Sequence, residues 1–154
     1  MSTSSTSLKQ YHSQSFRDLV VWQQSFDFAK GVYALAKALP ADERFGMSSQ
    51  LNRAAMSMPA QIAQGQRKRS KSEFLRHLHF ALGNAAECET YLMMVQDLFP
   101  NEAETVVGLR ETNTIIQKML SSLMYVMEHP KNYKDAASKI ETAACEPVCV
   151  PVAA

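Results

Sequence analysis

Apolar side chains recur along residues 18–39 in two adjoining rows, each stepping by three or four positions. One row is Leu19, Trp22, Phe26, Ala29, Tyr33 and Ala36. The other is Val21, Phe28, Val32, Leu35 and Leu39, with Ser25 its polar member. That spacing predicts a helix with an unusually wide apolar face. Ser15 followed by Asp18 resembles a capping pair, and Pro40 stops the helix. A second helix is expected from about Gly46 to Gly65, with Met47, Leu51, Ala54, Met58 and Ile62 as its apolar members. Ala55, Ser57, Ala60 and Ala63 around them are small and admit a neighbouring backbone. Pro59 removes one hydrogen bond and is expected to kink this helix, and Gly65 is its expected stop.

The third segment carries the strongest pattern. Ser70 with Glu73 three residues on has the form of a capping box. Phe74, Leu78, Ala81, Ala85, Cys88, Leu92, Val95 and Phe99 then keep a heptad spacing as far as Pro100. The fourth opens with Asn101 and Glu104 as N-terminal signals. Its seam is Val106, Leu109, Asn113, Ile116, Leu120, Leu123 and Met127, ending at Pro130. Asn113, the lone polar seam residue, is expected to set the register. No β-rich run, internal repeat or long linker interrupts this order. The pattern predicts an all-α antiparallel four-helix bundle over residues 16–129. Residues 1–15 are expected to form a disordered tail. Residues 130–154 are expected to be mostly mobile, with a short helix over 135–144. The first helix has more apolar width than one bundle core needs, which marks an interface with other copies. Val21, Phe28, Val32 and Leu35 are its candidate residues.

Composition changes this picture little. A chain of 154 residues is one domain in size and long enough for a real core. Nine Met read as helical core filling. Three Cys in no framework spacing argue against a disulfide scaffold and for a reducing, cytoplasmic setting. Cys88 falls on the apolar seam and reads as a small buried hydrophobe. Cys145 and Cys149 have no His or further Cys nearby to complete a metal site. The Ser/Thr-rich start lacks the apolar region of a signal peptide, and no apolar run is long enough to cross a membrane.

Charge is more informative. The net value is +1, yet residues 41–76 hold a surplus of basic residues and residues 77–154 a surplus of acidic ones. Arg67, Lys68, Arg69, Lys71 and Arg76 form the densest basic stretch, at the start of the third helix, with His77 beside it. Arg44 and Arg53 are candidates to join them. Cations beside helix N-terminal amides attract phosphate, which makes this segment the candidate nucleic-acid site. The plainer alternative is a solvated loop that keeps the chain soluble. No aromatic side chain interleaves the cations in sequence, so base stacking is not expected there.

Catalytic and metal chemistry find no footing. A di-iron bundle needs repeated Glu-x-x-His pairs, whereas here Glu73 and His77 are four apart and His77 and His79 diverge. Cys88 has no basic neighbour along the chain to lower its pKa. Ser57 and Ser70 lack a His partner in sequence, and Glu87 and Glu89 point apart. Gly65 stands without the Lys-Ser/Thr of a phosphate loop. No enzyme activity, cofactor or metal is expected.

The stretches FRDLVVWQQS and LPADERFGMSSQLNRAAMSMPAQIAQGQRKRSKSEFLRHLHFALGNAAECETYL resemble the four-helix bundle family named after the protein encoded in intervening sequences of bacterial 23S ribosomal RNA. The likeness covers residues 16–127. Its specific parts are Asp18-Leu19 with Val21-Trp22, Gln50 with Arg53-Ala54-Ala55 and Ser57, and Ile62-Ala63 with Gly65. The Ser70 to Phe74 entry and Ala81 to Gly83 with Glu87 and Glu89 complete them. The resemblance implies a bundle protomer in a closed ring, with five copies as the expected number, and no established catalytic activity. It is distantly similar to the accessory protein of diversity-generating retroelements, a basic pentamer that works with a reverse transcriptase and RNA. The chain departs from the pattern at Asn52, where the family tends to carry a second Arg. It departs again at Gln61 and Gln64, where Asn and Glu are usual. The expectation is therefore a non-catalytic homo-oligomer that binds RNA or DNA through its basic segment. The alternative is a scaffold for a protein partner without nucleic acid.

Overall fold

The computed structural model of the chain describes residues 15–130. Four α-helices make up nearly all of it: α1 (Val20–Ala38), α2 (Met47–Arg67), α3 (Lys71–Leu98) and α4 (Ala103–Glu128). Short 3-10 turns over Phe16–Asp18, Ala41–Phe45 and Pro100–Glu102 lead into α1, α2 and α4. No strand occurs among the described residues. Each helix packs on its neighbour in sequence, and α1 closes against α4. Positions on α2 and α3 meet in opposed order: Arg53 with Glu87, Gln61 with His77, Gly65 with Phe74.

The core follows the seams. On α3, Phe74, Leu78, Ala81, Ala85, Cys88, Leu92 and Val95 are buried, and Phe99 packs against their edge. On α4, Val106, Asn113, Ile116, Leu120 and Met127 are buried, with Met124 added and Leu109 and Leu123 half-covered. The Asn113 Nδ2 donates to the Ala85 carbonyl at 2.9 Å, a bond available at one alignment of α3 on α4. On α1 the buried row is Val21, Ser25, Phe28, Val32, Leu35 and Leu39. Ser25 fits there because its hydroxyl donates to the Val21 carbonyl at 2.7 Å.

This reverses the expected use of the two rows. Val21, Phe28, Val32 and Leu35 are at most 5% exposed inside their own protomer, so in this fold they have no face left for another copy. In the other row Ala29 and Ala36 are buried too, and the surplus is aromatic: Phe26 and Tyr33 are each 45% exposed. A glycine lets α2 and α3 approach closely near the turn that joins them. Gly65 lies inside α2, two residues before its end, and a Cβ there would come within 2.6 Å of His77 Cβ and 2.9 Å of a Phe74 ring carbon. It is a close-approach residue and not the stop. The chain reverses instead at Arg69, whose φ of 55° is left-handed.

Three capping expectations also change. The Ser70 side chain makes no cap bond; its hydroxyl lies 3.1 Å from that of Ser72, while Glu73 turns to Arg76. Ser15 caps the 3-10 turn, accepting from the Arg17 amide at 3.2 Å, and α1 starts at Val20. Asn101 sits within a 3-10 turn, and Glu102 precedes α4 without a side-chain cap. Helix α2 continues through a buried Pro59. The expected tails and terminal helix, with Cys145 and Cys149, lie outside the described residues.

Candidate nucleic-acid interface

The turn between α2 and α3 is short, and its residues are polar. Arg67 ends α2, Lys68 is its cap, Arg69 takes the left-handed conformation and Lys71 begins α3. All four side chains are exposed. Among the described residues, no carboxylate pairs with any of them. The first turn of α3 adds its free amides to the same end, a further source of positive potential.

The other candidate cations separate from this cluster. Arg44 lies before α2, its guanidinium 5.7 Å from the Phe45 ring, and the length of α2 puts it about 30 Å from the turn. Arg53 stands midway along α2, bonded to Glu87 of α3 and to Gln50. It joins helices and has little charge to offer a ligand. Arg76 is exposed but held by Glu73 at 2.8 Å, with its guanidinium 5.8 Å from the Phe80 ring. His77 does not continue the basic surface: it is 7% exposed, and its Nδ1–H donates to Gln61 Oε1 at 2.7 Å. Gln61, one of the departures from the family pattern, therefore has a partner of its own.

Two features were hidden in the sequence. Arg17 joins the basic end, because the 3-10 turn before α1 packs on α2. The Phe16 ring has two guanidinium groups near it, that of Arg17 at 5.1 Å and that of Arg67 at 5.8 Å. An aromatic row then leads away along α1. Trp22 meets Phe16 edge-on with centroids 5.1 Å apart, and stacks on Phe26 at 5.0 Å. Lys30 lies over Phe26 at 5.2 Å and Lys37 over Tyr33 at 4.6 Å. An open groove of about 390 Å³ between α1 and α2 is lined by Phe26, Ala29, Lys30, Tyr33, Met56 and Pro59. The expectation that no aromatic accompanies the cations holds along the chain but not in space. The signal was the short connection of α1 to α2, which returns the start of one helix to the end of the next.

Catalytic chemistry gains no support from these side chains. Burial pushes the Cys88 thiol up to about 12, with the Glu87 carboxylate adding to it and Arg53 opposing. At neutral pH it is a thiol and a poor nucleophile. Among the described residues, no group of three or more His, Cys, Asp or Glu is placed to hold a metal. No helix there is long and apolar enough to cross a membrane.

Comparison with known proteins supplies a family and little chemistry. The family model described as 23S rRNA-intervening sequence protein matches residues 17–122. A crystal structure of a protein with unknown function from the S23 ribosomal protein family of Bacteroides thetaiotaomicron is similar, with a TM-score of 0.64 and 29% sequence identity. The match covers 68% of this chain and 98% of that one. No curated protein matches the chain.

Proposed function

The chain belongs to the 23S rRNA-intervening sequence protein family, and on that premise we propose that it is a non-catalytic oligomer that binds RNA or DNA through the α2–α3 turn. The observation that carries this reading is the exposed, carboxylate-free cluster Arg67, Lys68, Arg69 and Lys71, with Arg17 beside it. Cations gathered at a helix start bind phosphate, and their repetition around an assembly multiplies the field. The protomer is an up-and-down antiparallel bundle, as the opposed order of contacts between α2 and α3 supports. Copies close into a ring, with five the number that the family resemblance implies. Exposed Met93, Met94 and Leu98 on α3 and Val107 and Ile115 on α4 give neighbouring copies apolar surface to cover. The setting is the cytoplasm, and no cofactor is involved.

The test is fluorescence anisotropy with short RNA and DNA duplexes at two salt concentrations. Binding is expected to weaken with salt, with a log–log slope of about 0.9 for each phosphate neutralised. The triple variant Arg67→Glu, Lys68→Glu, Arg69→Glu is expected to lose binding and keep its helicity, since no core side chain changes. A parent that fails to bind at low salt, or a variant that binds as well, sinks this function. A scaffold for a protein partner is then the remaining reading.

A further inference from the structure

We propose that the outer face of α1 is a track for single-stranded nucleic acid, in which unpaired bases stack against Phe26, Tyr33 and Trp22. This rests on the reading above, in which the α2–α3 turn holds the phosphate backbone, and it names the form of nucleic acid that the same surface takes.

The placement of rings and cations carries the inference. Proteins that bind single strands combine a cationic path for the backbone with aromatic faces for the bases. Here three of the four rings along the face have a cation over them, Arg17 and Arg67 at Phe16, Lys30 at Phe26 and Lys37 at Tyr33, while Trp22 packs between Phe16 and Phe26. Phe26 and Tyr33 are seven residues apart, two helical turns or about 10 Å, and flank the groove. Its floor includes Ala29 and Pro59, which are small and flat enough for a planar ring to lie over. Lys30 pairs with Asp27 at 2.6 Å, but both side chains are well exposed, and a phosphate competes with a surface pair of that kind. The row is continuous with the basic turn, because Phe16 touches both Trp22 and Arg67. Cationic surface therefore runs beside the rings, which suits a polyanion better than a neutral apolar partner. A duplex keeps its base faces stacked inside and reaches only the cations.

Trp22 is the chain's single tryptophan, so its emission reports on this face alone. The probes are oligo(dT), an abasic deoxyribose-phosphate oligomer of equal length, and a duplex, each titrated into the full chain. Oligo(dT) is expected to quench Trp22 and to bind roughly ten-fold or more tightly than the abasic oligomer. The double variant Phe26→Ala, Tyr33→Ala is expected to bind both single strands at the abasic level, with unchanged helicity and particle mass. Lys30→Glu with Lys37→Glu, which removes no ring, is expected to weaken oligo(dT) binding as well. Equal binding of oligo(dT) and the abasic oligomer without quenching overturns the track and leaves the phosphate-binding turn standing. Loss of the assembly in the double variant, with no quenching in the parent, gives the face to a second copy and also overturns it. Absence of binding to any probe removes both readings.

Discussion

The Cys88 thiol shows how far a single side chain's chemistry is set by its place in the seam. With its pKa raised from 9.0 to about 12 by burial, the folded state holds the proton more tightly than the unfolded chain does. The stabilisation from that preference is complete below pH 9.0 and is lost as pH rises towards about 12. A maleimide is expected to leave Cys88 unmodified at pH 7 in the native protein and to label it once denaturant is added. Stability of the parent is expected to fall above pH 9, and less steeply for Cys88→Ala. Arg69 is the opposite case, a side chain at odds with its backbone. A left-handed φ costs a non-glycine residue roughly 1 kcal/mol, so Arg69→Gly is expected to raise stability by about 0.5–1 kcal/mol in urea unfolding. The same substitution is expected to weaken duplex binding, because it removes a cation from the turn. A gain in stability with a loss of affinity would show that the strained residue is kept for its charge.

At the scale of elements, the two internal glycines that meet other helices behave differently. A methyl group at Gly65 meets a Cβ and an aromatic ring on α3, neither of which moves without shifting the helix. At Gly31 it meets only Leu109 Cδ2, at 2.9 Å, the far end of a flexible side chain. Gly65→Ala is expected to cost about 1–3 kcal/mol in spite of the better helix propensity of alanine. Gly31→Ala is expected to be neutral or to stabilise by up to about 1 kcal/mol. Thermal melts of the two variants separate these outcomes. The same contrast explains what the sequence could reveal. Heptad seams on α3 and α4 are legible because one row on each helix is apolar and its neighbours are not. On α1 both rows are apolar, and periodicity cannot choose between them. The deciding facts are a Ser25 hydroxyl satisfied by its own helix and the bulk of Trp22, Phe26 and Tyr33, which sit half outside. Capping signals failed for a related reason: a Ser or Asn before a helix has the right chemistry, but the local 3-10 turns and the Arg69 reversal aim it elsewhere.

For the whole molecule, the basic segment was visible along the chain, but its membership was not. Sequence distance made Arg76 and His77 neighbours of Arg67. Three dimensions replace them with Arg17, because Arg76 is paired and His77 is buried. Arg53 is removed by a carboxylate that lies far off in sequence. Pairing of that kind has no local signature. Val21, Phe28, Val32 and Leu35, the residues expected to serve assembly, are instead buried in the protomer's own core. Light scattering on the full chain is expected to give a multiple of 17.2 kDa. Charged substitutions at Met93 and Ile115, both exposed, are expected to reduce that mass without lowering helicity. A monomeric parent at micromolar concentration would remove the ring.

The short turn between α2 and α3 also bears on how quickly the protein reaches its native state. Only Lys68, Arg69 and Ser70 separate the two helices, so little loop entropy opposes their meeting. Bundles rich in such local contacts fold in microseconds to milliseconds. The α2–α3 hairpin is therefore expected to form early, with α1 joining afterwards. Mutations then divide by the rate they change. Leu78→Ala, within the hairpin, is expected chiefly to slow refolding in stopped-flow experiments, whereas Val32→Ala on α1 is expected chiefly to hasten unfolding. On that order the α3 seam is expected to be hidden early, and the aromatic row on α1 to take its final place late.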